Sequence, residues 1–386
     1  MPVPGAPLRP RLVLLLAAGA GVNAANLHYN TPMLARFAHE FAEPAQRIGF
    51  VPMAVLVGYA LAILLLAPLG DRFDKRTLVL VKFGLLVPTL LLAAWAGDLW
   101  VLVLASFLVG GLSSSAQDIV PLAAQIAPPK ARGQVVAAVM TGLFLGILFG
   151  RLASGLVTEL FGWRTAFGLA ALVNLALAVL LARGLPSAAS RTRLNYAALM
   201  RSLFSLYRRY AGLRQASMTQ GVLFISYAAF WATIAPLLER SFALGPMVAG
   251  LFAIPGAAGS LIAPKVGRMA DQLGSRPVVG IAAVSVIVAF ATLGAGGAFL
   301  VALIIGTVML DLGIRASQLA NQARIFALDE AAGSRLNTVL MVHMFTGQAL
   351  GAIIGSYAWA HTGWNGVTLL GGGAAVLALL VHLSRK

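Results

Sequence analysis

The chain has 386 residues, 60% of them apolar and only 10% charged, with a mean hydropathy of +0.89. About a quarter of the residues of a soluble globular domain are charged, so this composition, with its repeated apolar runs, excludes that class and defines a polytopic membrane protein. The net charge of +16 does not mark a nucleic-acid binder, because the basic residues gather in alternate loops, and the lack of cysteine excludes disulfides, thiolate metal sites and cysteine nucleophiles.

The start, M-P-V-P-G-A-P-L-R-P-R and an apolar run, imitates a secretory signal. The apolar stretch continues past Ala24 and Ala25 to about Phe37, so it reads as an uncleaved first helix. Asn23, Asn26 and Asn30 fall on one stripe of that helix. A polar stripe is costly against lipid, so it faces either a neighbouring helix, as amide glue, or a wet cavity. Hydropathy places spans near 12–37, 46–69, 77–97, 99–127, 134–159, 163–184, 212–238, 246–268, 277–295, 297–327, 337–361 and 364–383. The expected fold is all-α, with twelve transmembrane helices.

Arg72, Lys75, Arg76, Lys130, Arg132, Arg268, Arg276 and Arg335 lie in the loops after even-numbered helices. The opposite loops carry Glu40, Glu43, Asp98, Glu159 and Glu239. Both termini are therefore expected in the cytoplasm. Between Arg183 and Arg214, arginines alternate with Leu199, Leu203, Leu206 and Tyr210, the spacing of a short amphipathic helix on the inner leaflet. This stretch reads as a solvated linker.

Landmarks recur at half-chain spacing. A-P-L-G-D-R-F-D-K-R at 67–76 is answered by G-R-M-A-D-Q-L-G-S-R at 267–276, Gln117 by Gln318, and Gly162-Trp163 by Gly363-Trp364, offsets of 200 or 201 (271 − 71 and 364 − 163). Two six-helix, pseudo-symmetric bundles follow, related by an axis along the membrane normal. The expected boundaries are residues 1–184 and 212–386, with a basic linker at 185–211.

Twelve helices in two halves, with this charged turn after helices 2 and 8, resemble the major facilitator superfamily. Gly267, Ala270, Asp271, Gly274 and Arg276 match its pattern; the first copy keeps Leu69, Asp71, Arg72, Lys75 and Arg76 but has Ala67, Gly70 and Asp74 at motif positions. N-L-H-Y-N-T-P-M-L at 26–34 and G-W-R-T-A-F at 162–167 are similar to a bacterial branch labelled sugar- or arabinose-efflux permeases. The resemblance implies a gate built on Asp71, Arg72, Arg76, Gly267, Asp271, Gly274 and Arg276. It also implies central helices 1, 4, 7 and 10 and a bacterial inner-membrane location; a monomer driven by a proton or solute gradient, with no cofactor and no metal, is expected.

Ionisable groups inside the membrane are functional candidates by cost alone. Asp311, Arg315, Gln318 and Gln322 share one face of helix 10, where acid and base could neutralise each other or line a cavity. Asp118 has no partner within helix 4, which suits a group that loads and releases a proton or one that pairs with a base elsewhere. Arg151 lies in G-I-L-F-G-R-L-A-S-G, a degraded likeness of the family's antiporter motif, and Ser106 stands where that pattern has a helix 4 arginine. Gly142, Gly146 and Gly150 on the same helix allow close approach of a neighbour. His343 reads as a neutral packing histidine.

No H-E-x-x-H, G-x-S-x-G or phosphate-loop pattern occurs, so neither an enzyme nor an ATP-driven pump is expected. The expected cavity lining is Asn26, Asn30, Gln117, Asp118, Tyr227, Trp231, Asp311, Arg315 and Gln318, with Asp118, Asp311 and Arg151 as proton-coupling candidates. Amides, an aromatic pair and both charge signs suit a small polar or amphipathic solute. Efflux by proton antiport is expected from the branch resemblance, with uptake by symport or a facilitator as the alternatives.

Overall fold

The computed structural model describes residues 10–66, 73–128, 131–186, 196–256, 269, 272–329 and 332–384. Among these residues every regular element is helical. The first crossing departs from the continuous helix expected over 12–37. It consists of α1 (Pro10–Ala25), a 3₁₀ turn (Thr31–Met33) and α2 (Leu34–Phe41). Pro32 is the cause, since it lacks an N–H and its ring crowds the carbonyl of residue 28. The chain tightens just before it: the N–H groups of Leu27 and His28 donate to the carbonyls of Ala24 and Ala25 at 3.3 and 2.9 Å.

The first half continues with α3 (Ala45–Ile48), α4 (Phe50–Leu66), α5 (Lys75–Ala94), α6 (Leu99–Leu112), α7 (Ser115–Ile126), α8 (Arg132–Phe161) and α9 (Trp163–Gly184). The connector contains the amphipathic α10 (Tyr196–Arg209). The second half comprises α11 (Ala211–Phe242), α12 (Pro246–Leu251), α13 (Ser275–Ala295), α14 (Leu300–Phe326) and α15 (Gly333–Leu383). α15 is two helices folded back on each other at Gly363, where φ is 64°. Among the described residues nine helices are long and apolar enough to cross a membrane, one of them split at Gly363, and Pro10–Ala25 and Pro246–Gly256 are shorter apolar helices. The result is an all-α fold of two six-helix bundles.

The duplication extends into the backbone. Ala42 and Ala243, 201 positions apart (243 − 42), both take the left-handed conformation that ends the first crossing of their half, at φ 50° and 53°. Gly162 and Gly363 share the same offset and both have positive φ. One departure from the repeat has a local reason. Gly274 starts α13 at φ 85°, whereas Asp74 starts α5 at φ −59° and caps it by accepting the Arg76 N–H at 3.0 Å.

Close backbone contacts hold each bundle. A Cβ on Gly146 would lie 2.0 Å from the Gly21 carbonyl oxygen, joining α8 to α1; a Cβ on Gly347 would lie 1.9 Å from that of Gly221, joining α15 to α11. The two halves meet along α4 and α15, where the Tyr59 and Phe345 rings stand 4.4 Å apart, and along α8 and α12. A Cβ on Gly155 would lie 2.5 Å from the Pro246 oxygen, and one on Gly250 would lie 2.6 Å from the Arg151 oxygen. Gly146→Ala should therefore cost about 1–3 kcal/mol of stability, read as a lower unfolding temperature in detergent. Gly168→Ala, where nothing lies within 4 Å, should leave it unchanged or higher.

Candidate functional site

Arg151 is the hub of the seam. It sits 4% exposed near the middle of α8, on the side that faces the second bundle. Its guanidinium carbon stands 3.8 Å from the centroid of the Trp231 ring of α11, a cation–π contact across the halves. Its Nη2 lies 3.2 Å from His28 Nδ1. A guanidinium only donates, so His28 Nδ1 accepts and the ring is neutral with its proton on Nε2. The break before Pro32 places His28 there.

Asp311 of α14 completes the cluster. It is 1% exposed, and the Tyr227 hydroxyl of α11 lies close to both Asp311 and Arg151. Arg315, one turn further along α14, donates to Gln318 Oε1 at 3.1 Å rather than closing an ion pair on Asp311. Among the described residues three buried polar atoms of this cluster have no hydrogen-bond partner: Asp311 Oδ2, Arg151 Nε and Trp231 Nε1. Each such atom costs about 1–3 kcal/mol. Gly256 keeps the approach to Asp311 open, since a Cβ there would stand 3.2 Å from Oδ2.

Two small cavities flank Arg151 and Tyr227, each of about 30 Å³. His28, Asn30, Trp231 and Gln348 line the first; Gly256, Asp311 and Arg315 line the second. Each has room for only a few waters.

Of the residues singled out by sequence, Asn30, Tyr227, Trp231, Asp311 and Arg315 converge here, and Arg151 joins them. Asn26, Gln117, Asp118 and Gln318 line neither cavity. Asn26 Nδ2 donates to Asn174 Oδ1 at 3.3 Å, and Asn23 Oδ1 accepts the Ala116 N–H at 2.9 Å, so these two amides bind helix to helix. Gln117 Nε2 donates to the Tyr59 hydroxyl at 3.0 Å. Asp118 is not a lone acid: Lys82 Nζ of α5 donates to its Oδ2 at 2.6 Å and to Ser114 Oγ at 2.9 Å. His343 Nδ1 lies 2.9 Å from the Val339 carbonyl oxygen and its ring stacks on Tyr207, a packing role.

Asp71, Arg72, Gly267 and Asp271 lie outside the described residues. Arg76 Nη2 donates to the Ala182 carbonyl at 2.7 Å, Gly274 supplies the positive-φ start of α13, and Arg276 lies near Arg324 of α14. The sequence reading missed His28, Gln348 and Lys82. A lysine at position 82 within the apolar run of helix 3 was a signal for the partner of Asp118.

At the end of the molecule that bears the Ala42 and Ala243 turns, side chains latch the halves together. The Glu159 carboxylate of α8 accepts the Met247 N–H of α12 at 2.8 Å. His39 Nε2 of α2 stands 3.2 Å from Glu239 Oε1 of α11. Within the first half, Glu40 accepts from the Trp163 indole and the Arg164 guanidinium. Burial alone would push the Glu40 carboxyl up, but these two hydrogen bonds and the Arg164 charge outweigh it and hold the carboxyl below its ordinary value.

Two six-helix membrane bundles with a polar cluster at their seam define a solute transporter. The model of the Major Facilitator Superfamily matches residues 16–217. The uncharacterized transporter YgaY of Escherichia coli O157:H7 is 36% identical over 382 residues, 99% of this chain and 97% of that one. A probable sugar efflux transporter of Pasteurella multocida (strain Pm70) is 26% identical over 235 residues, 60% and 57% of the two chains. The crystal structure of a D-xylose-proton symporter shares the fold with a TM-score of 0.78 at 15% identity, covering 96% of each chain. The chain belongs to the Major Facilitator Superfamily; it is a multi-pass membrane transporter and not an enzyme.

The Lys82–Asp118 pair yields a test of its own. Lys82→Met should cost about 3–5 kcal/mol by stranding a buried carboxylate, and the double change Lys82→Met with Asp118→Leu should recover most of it. Thermal unfolding of the two variants checks this.

Proposed function

We propose that this protein is a proton-coupled secondary transporter that moves a small organic solute by alternating access, its two bundles rocking about the Arg151–Tyr227–Trp231–Asp311 cluster. The observation that supports this most is Asp311: a carboxylate 1% exposed, one oxygen unpartnered, at the seam where Arg151 approaches from the other bundle. Opening the seam to either side changes its surroundings, and such groups inside a membrane mark proton and substrate paths. Asp118 is held by Lys82, so the proton is assigned to Asp311 and Asp118 to helix packing.

The latch of Glu159 with Met247 and of His39 with Glu239 serves as the outer gate in this reading, and the turns carrying Asp71 and Asp271 as the inner one. Basic residues in alternate loops support a bacterial inner-membrane protein with both termini inside. It works as a monomer and needs no cofactor beyond the gradient. The sense of coupling has two supports. The branch resemblance and the name of the Pasteurella relative, a probable sugar efflux transporter, favour export. The two arginines around a single acid favour solute and proton moving together.

Proteoliposomes loaded with pyranine test the assignment, using inward gradients of D-xylose, L-arabinose, alanine, gluconate and ethidium in turn. At least one should move protons, acidifying the lumen for cotransport and alkalinising it for exchange. Asp311→Asn should abolish the proton signal while keeping solute counterflow, and Asp118→Asn should retain the signal if it folds. Full proton movement in Asp311→Asn would overturn the assignment.

A further inference from the structure

We propose that the transported solute is a small organic acid whose carboxylate is held by Arg151 and Arg315, and that it occupies the site together with a proton on Asp311. This rests on the reading of Asp311 as the proton carrier and adds the chemical class of the solute.

Charge comes first. Among the described residues the cavities are lined by two arginines, Arg151 and Arg315, and one carboxyl group, Asp311, and His28 is neutral, so positive charge is left uncompensated whether or not Asp311 carries a proton. Lys82 and Asp118 cancel each other. Arginine does not shed its proton, so a cation is repelled here and an anion is what lowers the energy of the buried charges.

Geometry comes second. One face of the Arg151 guanidinium lies on the Trp231 ring, and Nη2 is turned to His28. Its Nε and Trp231 Nε1 each carry an N–H with no partner among the described residues, and both residues line the first cavity. A planar carboxylate can span Nε and its neighbouring terminal nitrogen in the side-on, bidentate mode that suits arginine. Arg315 donates only to a neutral amide oxygen, Gln318 Oε1, which a carboxylate can displace. Asn30 and Gln348, set beside Leu56 and Ala232, leave the rest of the first cavity fit for a body with a few polar groups.

Coupling follows from competition. The groups addressing Asp311 are Arg315 from its own helix, Arg151 from α8 and Tyr227 from α11, with His28 reaching it only through Arg151. Gly256 adds no side chain. A solute carboxylate on Arg151 takes the counter-charge that Asp311 used and places a second anion beside it. Protonating Asp311 removes that repulsion, so anion and proton each favour the binding of the other. For such a solute, cotransport is the sense of coupling.

The experiment is equilibrium binding to the purified full chain in detergent, read by tryptophan fluorescence and thermal shift. Gluconate, benzoate and succinate are each compared with their neutral counterparts, glucose, benzamide and succinamide. At least one carboxylate should bind while its neutral counterpart does not. Its affinity should rise about tenfold per pH unit lowered across the range where one proton is taken up, with that uptake seen directly in weakly buffered solution. Asp311→Asn should bind the same carboxylate with no pH dependence and no proton uptake. Arg151→Gln should bind it at least about tenfold more weakly; should that variant fail to fold, Asp311→Asn still decides. Silence from all three carboxylates, or binding of a neutral compound at equal strength, overturns the proposal. A neutral solute that still moves protons through Asp311 would keep the proton assignment and remove the anion. Carboxylate binding without proton uptake would overturn the joint occupancy.

Discussion

Everything in this molecule is arranged around the cost of holding Arg151 away from water. A guanidinium at that depth cannot neutralise itself, so the protein must surround it with π-electrons, acceptors and a counter-charge. The bundle that carries the arginine does not supply them alone. The first half brings Arg151 and His28; the second brings the Trp231 face, the Tyr227 hydroxyl and Asp311. The charge thus becomes a reason for the halves to meet, and the place where they meet becomes the place where protonation or an incoming ligand can shift the balance. Small residues make the meeting possible. Gly155 and Gly250 let α8 and α12 run backbone against backbone beside Arg151, which keeps the arginine in the seam instead of against lipid.

The duplicated scaffold and the unduplicated site divide the work. Left-handed alanines, positive-φ glycines and the backbone contacts of Gly146 and Gly347 recur one half-chain apart. The site residues do not. The position equivalent to Arg151 is Ala352, and the one equivalent to Asp311 is Gly110, which instead packs α6 tightly against Val55 of α4. Trp231 corresponds to Asn30, so the two halves bring an aromatic ring and an amide to the lining of one pocket. Symmetry builds the hinge, and the breaks in symmetry give it chemistry.

The fold was legible because hydropathy and spacing are one-dimensional signals: apolar runs, the basic loops and the Gly-Trp pairs sit in the sequence in the order in which they act. The site was legible only in part. Asp311, Arg315, Tyr227 and Trp231 could be placed because each stands out on a helix whose face is fixed by period. Asn23 and Asn26 look the same as Asn30 in the sequence, yet Pro32 interrupts the helix and sends His28 and Asn30 to the seam while the other two amides stay between helices. Asp118 seemed alone because its partner, Lys82, lies 36 residues away on another crossing. Pairing between helices is a property of packing, and one helix's periodicity does not contain it.

The central claim is that Arg151 and Asp311 sense each other across the seam. A double-mutant cycle on unfolding free energy, with Arg151→Gln, Asp311→Asn and the pair, tests it most directly. A coupling of about 1–3 kcal/mol is expected, the neutralised pair being more stable than the two single losses combined. Additive effects would mean that the two charges act independently, and the seam would then owe its closure to packing alone.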